Sequence, residues 1–196
     1  MTLVDRSSSL SEDSTFLDVL SRAKGGDEAA FAELWRANNP GLLRFLAGLS
    51  SEDDARDVAS TVWLEVVRKL SAFEGDAIGF RAWIFTIARS RLIDLRRARR
   101  RRITTVTSDS DHRDQADDAS DPSEIIDDHA ATQEAIALIS KLPAKQAEVV
   151  LLRVVADLDV DTVAAMLGKS TGVVRVLSHR GLKRLAELLQ ESGVTR

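Results

Sequence analysis

Eight of the fourteen residues from Arg89 to Arg102 are arginine, and Asp94 is the single acid among them. A guanidinium stays charged at any physiological pH and offers a planar fork of donors that fits a phosphate. A block of this density points to a polyanion, and to binding rather than bond-making. Lys169, Arg175, His179, Arg180 and Lys183 form a second basic group near the other end of the chain. Yet the 196 residues carry 27 Lys+Arg against 31 Asp+Glu, a formal charge of -4. The cations must therefore be gathered on particular faces of an otherwise acidic molecule.

Catalytic groupings are lacking. His112 and His129 stand apart with no metal-ligand spacing around them. There is no glycine-rich phosphate loop and no nucleophile with a placed base. The expectation is a protein that is not an enzyme and holds no metal or cofactor. Cysteine is absent, so disulfides and thiolate chemistry are excluded, which fits a reducing compartment. The opening "MTLVDRSSSLSEDS" lacks the apolar stretch of a signal peptide, and no apolar run approaches the roughly 18 residues of a membrane span. A cytoplasmic protein without membrane insertion is expected.

The elements that position the two basic groups read as helices. Hydrophobic residues make up 44% of the chain, and only three prolines and ten glycines interrupt it, so an all-α fold is expected. Two small helical domains are expected, at 13–102 and 129–191. Between them 103–128 is rich in Asp, Ser and Thr and reads as a flexible acidic linker. In the first domain Asp27 is a candidate N-cap, followed by Phe31, Leu34 and Trp35 as core positions. Asn38, Asn39, Pro40 and Gly41 read as a break. Val58, Val62, Trp63, Val66 and Leu70 form the next apolar stripe, and "FEGDAIGF" reads as a short loop. On the arginine helix Phe80, Trp83, Ile84, Ile87, Ala88 and Leu95 share one face. Arg89 and Arg96 lie opposite, with Ser90 and Arg97 on the flank, while Arg91 falls on the apolar side and would snorkel outward.

In the second domain Val163, Ala164 and Leu167 mark a short helix, and Gly168 sits where a left-handed helix end is expected. Ser170 can cap the next helix. That helix has Val174, Leu177, Gly181 and Leu185 inside, with Arg175, Val176, His179, Arg180 and Lys183 turned away. A short helix, a tight turn and a longer basic-faced helix form the layout of a helix-turn-helix.

Taken in order, "GGDEAAFAELW", "EDDARDVASTVWLEVVRKLSAF", "FRAWIFTIARSRLIDLRRARRRR", "LPAKQAEVVLLRVVADL" and "TGVVRVLSHRGLKRL" resemble the extracytoplasmic-function class of bacterial sigma factors. The chain departs from that pattern at Ser60–Thr61, Ser90 and Val176–Leu177. Family members carry Gln and an acid, Asn, and a Ser–Arg pair at those places. The resemblance implies core RNA polymerase and promoter DNA as partners, and for many members an anti-sigma factor. It implies an alternative sigma factor that binds core polymerase and directs initiation, with a stand-alone helix-turn-helix regulator as the alternative.

The resemblance also implies roles for individual residues. Arg89, Ser90, Arg96 and Arg97 would meet DNA near the minus-ten element. A flipped base would enter a pocket built from Phe73, Asp76, Phe80 and Trp83. Ser170, Thr171, Arg175 and His179 would meet base edges or nearby phosphates at the minus-thirty-five element, with Lys169, Arg180 and Lys183 on phosphates. Asp54, Asp57, Thr61 and Glu65 would face the polymerase.

Overall fold

The computed structural model describes residues 3–105 and 126–191, and all regular structure among them is helical. The first domain comprises α1 (Leu3–Lys24), α2 (Glu28–Ala47), α3 (Glu52–Lys69) and α4 (Ala77–Thr105), with one 3-10 turn at Leu70–Ala72. The second comprises α5 (Ile126–Ser140), α6 (Ala144–Val154), α7 (Val160–Leu167) and α8 (Thr171–Glu191). This is the all-α, two-domain fold that composition and periodicity imply. Residues 106–125, most of the expected linker, lie outside the described residues.

Side chains start several of these helices, at Asp27 as the sequence suggests and at two further positions that it does not single out. Asp27 accepts hydrogen bonds from the amides of Ala29 and Ala30 and so caps α2. Ser51 caps α3, and Asp159 caps α7 through the amide of Thr162 at 2.7 Å. The expected break at Asn38–Gly41 does not occur, because α2 runs straight through Pro40. Neighbouring side chains hold the helix there. Asn38 donates to the Leu34 carbonyl, and Arg44 donates to the Pro40 carbonyl. Asn39 accepts from the Trp63 indole at 2.9 Å, which ties this turn to α3. Leu34, Leu42, Phe45 and Leu46, buried on both sides of the proline, outweigh its cost.

The core of the first domain is built from α2, α3 and α4, with α1 laid across α2. Phe45 and Phe85 meet edge to face with ring centres 5.2 Å apart. In the second domain α6 and α8 pack closely because Gly181 has no side chain. A Cβ there would stand 2.6 Å from Val150.

The two domains share one continuous hydrophobic core, with α6 against α2 and α7 against α4. Leu151 of α6 is fully buried and sits over Gly48, where a Cβ would approach it to 2.8 Å. Around this contact Arg89 of α4 pairs with Glu148 of α6 at 2.8 Å. Arg81 reaches the carboxylate of Asp157 at 3.3 Å and the carbonyl of Ala156 at 3.4 Å.

Gly48 has right-handed helical angles that any residue adopts, so a larger side chain there acts through space alone. Gly48→Leu should drive Leu151 from its seat and part the two domains, each keeping its helices. Small-angle scattering should give a clearly larger radius of gyration than the parent, with unchanged helical circular dichroism. An unchanged radius would show that the junction yields locally instead.

Candidate nucleic-acid interface

Helix α4 carries the arginine block, and the structure divides its cations between two tasks. Arg99 forms a two-pronged pair with Asp54 of α3, both distances 2.5 Å, and Asp54 is buried. Arg91 makes two hydrogen bonds to Glu65 of α3, at 2.8 and 2.5 Å. Arg91 reaches outward as expected, its side chain 40% exposed, and an acid on the neighbouring helix meets it on the way. Arg96 donates to the Leu49 carbonyl at the α2–α3 turn while remaining exposed. Arg97 and Ser90 stand on the exposed side, Arg97 only 4.0 Å from Asp94. Arg89, expected to face outward, is half-buried under Glu148.

Beside the start of α4 lies an aromatic group. Phe73 stacks on Trp83 with ring centres 5.0 Å apart and planes 24° from parallel. Phe80 is fully buried behind them, against Phe73, Trp83 and Phe16. Asp76 accepts a hydrogen bond from the Gly79 amide at 2.7 Å and thereby caps α4. Of the four residues expected to hold a base, Phe73 and Trp83 form the partly exposed edge and Phe80 the floor beneath it.

The second basic face lies on α8. Gly168 adopts φ 60°, the left-handed end that closes α7, and Ser170 accepts from the Val173 amide to start α8. Val174 and Gly181 are buried, with Leu177 and Leu185 packed against the core. Arg175, His179, Arg180 and Lys183 are exposed, and Lys169 and Thr171 are half-buried. Arg175 donates to the Thr171 hydroxyl at 3.3 Å.

The acids expected on the polymerase side separate into two groups. Asp57 and Thr61 are exposed on α3, whereas Asp54 and Glu65 are taken up by α4. Next to the exposed pair, Trp35, Asn39, Leu43, Arg56, Ser60 and Trp63 line an open groove of about 350 Å³ between α2 and α3. Trp35 is 42% exposed, which corrects its expected place in the core. Leu34 takes the buried side of α2 there, and Trp35, about 100° further round the helix, lies at the edge of the apolar face and opens onto the groove. Among the described residues no group of three or more His, Cys, Asp or Glu is placed to hold a metal. No described helix is long and apolar enough to cross a membrane.

Comparison with known proteins agrees with this layout. Residues 34–102 match the family model "Sigma-70 region 2", and residues 132–185 match "Sigma-70, region 4". The chain is 30% identical to the ECF RNA polymerase sigma factor SigD of Mycobacterium tuberculosis, over 89% of this chain and 84% of that protein. It is 32% identical to the ECF RNA polymerase sigma factor ShbA of Streptomyces griseus, over 88% of this chain and 94% of the relative. Among solved structures it is similar to the sigma factor RpoE of Bartonella quintana in complex with the anti-sigma factor NepR. That likeness has a TM-score of 0.63 and 26% identity, over 85% of this chain and 98% of the other.

Hydrogen bonds from Lys69 and Arg91 hold the Glu65 carboxyl below its ordinary range. A depressed carboxyl contributes stability above its unfolded value, about 4.3, and loses it as pH falls through the folded value. Glu65→Gln should therefore lower the melting temperature at pH 7, with the deficit shrinking below about pH 4. An equal deficit at pH 7 and pH 3 would show that the pair does not stabilise through its charge.

Proposed function

The chain belongs to the extracytoplasmic-function class of RNA polymerase sigma factors, and we propose how its surfaces divide the work of initiation. It is an alternative sigma factor, directing polymerase to particular promoters. The observation that carries the division is the pair of unlike basic faces, one beside a stacked aromatic edge and one on a helix-turn-helix.

Arg96, Arg97, Ser90 and, once uncovered, Arg89 lie along one side of the minus-ten DNA, where contacts to phosphate are largely blind to sequence. Reading an opened strand needs stacking surface, and each base stacked on an aromatic ring is worth about 1–3 kcal/mol. Phe73 and Trp83 offer that surface, Phe80 supports it from below, and Asp76 fixes the start of α4 at its rim. Helix α8 enters the major groove at the minus-thirty-five element. Ser170, Thr171, Arg175 and His179 are nearest the bases, and Lys169, Arg180 and Lys183 nearest the phosphates. Asp57, Thr61 and the groove beside Trp35 and Ser60 form the face offered to the polymerase clamp. Asp54 and Glu65 serve that face indirectly, by fixing α3 on α4. Binding polymerase places the work in the cytoplasm.

The elements at minus ten and minus thirty-five are separated by about 25 base pairs, or roughly 85 Å of duplex. A compact chain of this length has a radius of gyration near ~16 Å. The docked domains must therefore part to reach both, which releases Arg89 from Glu148 and Arg81 from Asp157. The Bartonella quintana relative is held by an anti-sigma factor, and a partner of that kind is proposed for this chain as well.

Run-off transcription with core polymerase on a library of promoter fragments tests the reading. Defined starts should appear only when the protein is added. Arg175→Ala should reduce them by roughly tenfold, within the span of about 1–3 kcal/mol for an arginine on a base edge. Tight duplex binding by the protein alone, with no starts, would contradict it.

A further inference from the structure

The water-facing side of α8 carries a feature that phosphate binding does not explain. Val176 is 47% exposed, with Val173, 45% exposed, one turn before it and cations on either side. The buried line of this helix runs through Val174, Gly181 and Leu185, with Leu185 only partly covered. At about 100° per residue, Gly172, Val176 and Lys183 lie almost diametrically opposite. Val176 is thus the side chain of the first two turns that points most directly outward. A β-branched residue there gains nothing from the core and is a poor helix former.

Gly172 sits one turn earlier on the same line. A Cβ at this position would meet only the Ser170 hydroxyl, at 4.0 Å. Packing therefore does not require glycine, although glycine in a helix costs about 1 kcal/mol relative to alanine. The two residues together form an uncharged strip, flanked by Arg175 and His179 on one side and by Arg180 and Val173 on the other, all exposed. An apolar protein partner would have to bury these cations, whereas duplex DNA neutralises them. In the major groove the apolar feature is the 5-methyl group of thymine.

We propose that Val176 determines specificity by packing on a thymine 5-methyl group, with Gly172 leaving room for the first turn of α8 to approach the groove floor. This deepens the helix-turn-helix reading above and rests on it. Valine has neither donor nor acceptor, so its selectivity lies in the methyl contact and in the penalty of placing it over the amino group of cytosine.

The test uses a promoter from the transcription library and the protein bound to core polymerase. Each thymine of the minus-thirty-five region, on either strand, is replaced singly by deoxyuridine, which pairs identically but lacks the methyl group. One replacement should weaken promoter binding about threefold to fivefold, the worth of one buried methyl-sized group. Val176→Ala should bind the thymine and deoxyuridine promoters within a factor of about 1.5 of each other, since its shorter side chain no longer reaches. Gly172→Leu should melt no lower than the parent and bind the promoter at least tenfold more weakly.

The proposal is overturned if every deoxyuridine promoter binds like its parent, or if the protected element contains no thymine. It is also overturned if Val176→Ala keeps the discrimination. Failure to obtain any start with the parent protein would overturn the promoter-directing role on which this inference rests, and this inference with it. Normal starts with no effect of deoxyuridine would overturn the methyl contact alone.

Discussion

The pairing of α3 carboxylates with α4 arginines is the interaction on which the first domain's layout depends. The first half of α4 is anchored in the core by Phe80, Ile84, Phe85 and Ala88, but the cations that crowd its second half repel one another. Asp54 and Glu65 remove that obstacle at two points, one near each end of the α3–α4 contact. Each guanidinium so held keeps its helix from rolling. The rotation of α4 then decides which arginines keep free donors: Arg97 stands clear of α3, while Arg91 and Arg99, though still partly in water, are paired to its carboxylates. The acidic balance of the chain and its basic surfaces are thus two sides of one arrangement, because acids inside the domain free the remaining cations for use outside it.

A second ion pair has a different character. Arg89 and Glu148 belong to different domains, and both keep some contact with water, at 31% and 21% side-chain exposure. A pair of this kind contributes little by itself and is readily exchanged for another anion. A phosphate is such an anion. The apolar contact beneath it, Leu151 on Gly48, is shape-dependent and contributes more to the docking. The docked form is consequently held by packing that tolerates no intruding side chain, and capped by charges suited to a competing ligand. On the proposed division of surfaces, promoter binding along α4 and docking of the second domain compete for the same arginine.

Much of this was legible in the sequence where a local rule acts alone. Asp27, Ser170 and Gly168 occupy cap positions whose geometry a few neighbouring residues determine, and each does in the structure what its type suggests. Val174 and Gly181 were readable as the inner side of α8 from period alone. What escaped depends on partners far away in the chain. Pro40 remains helical because Trp63, 24 positions on, holds Asn39. Arg91 is tied to α3 because Glu65 waits there, and Trp35 borders an open groove between α2 and α3 that only the packed helices define. Periodicity assigns a residue to a face, but not the chemistry of the element facing it. The docking of the domains escaped for the same reason, since Gly48 and Leu151 carry no mark of belonging together until both helices are placed.

The central claim is that one acidic chain bears two unlike DNA faces, α4 with its aromatic edge for an opened strand and α8 for duplex. Site-specific photocrosslinking in the initiation complex tests it most directly, with probes at the minus-ten non-template bases and at the minus-thirty-five pairs. The minus-ten probes should label peptides within residues 73–101, and the minus-thirty-five probes peptides within residues 169–183. Labelling of α8 by both sets of probes, or of neither region by the minus-ten probes, would contradict the account.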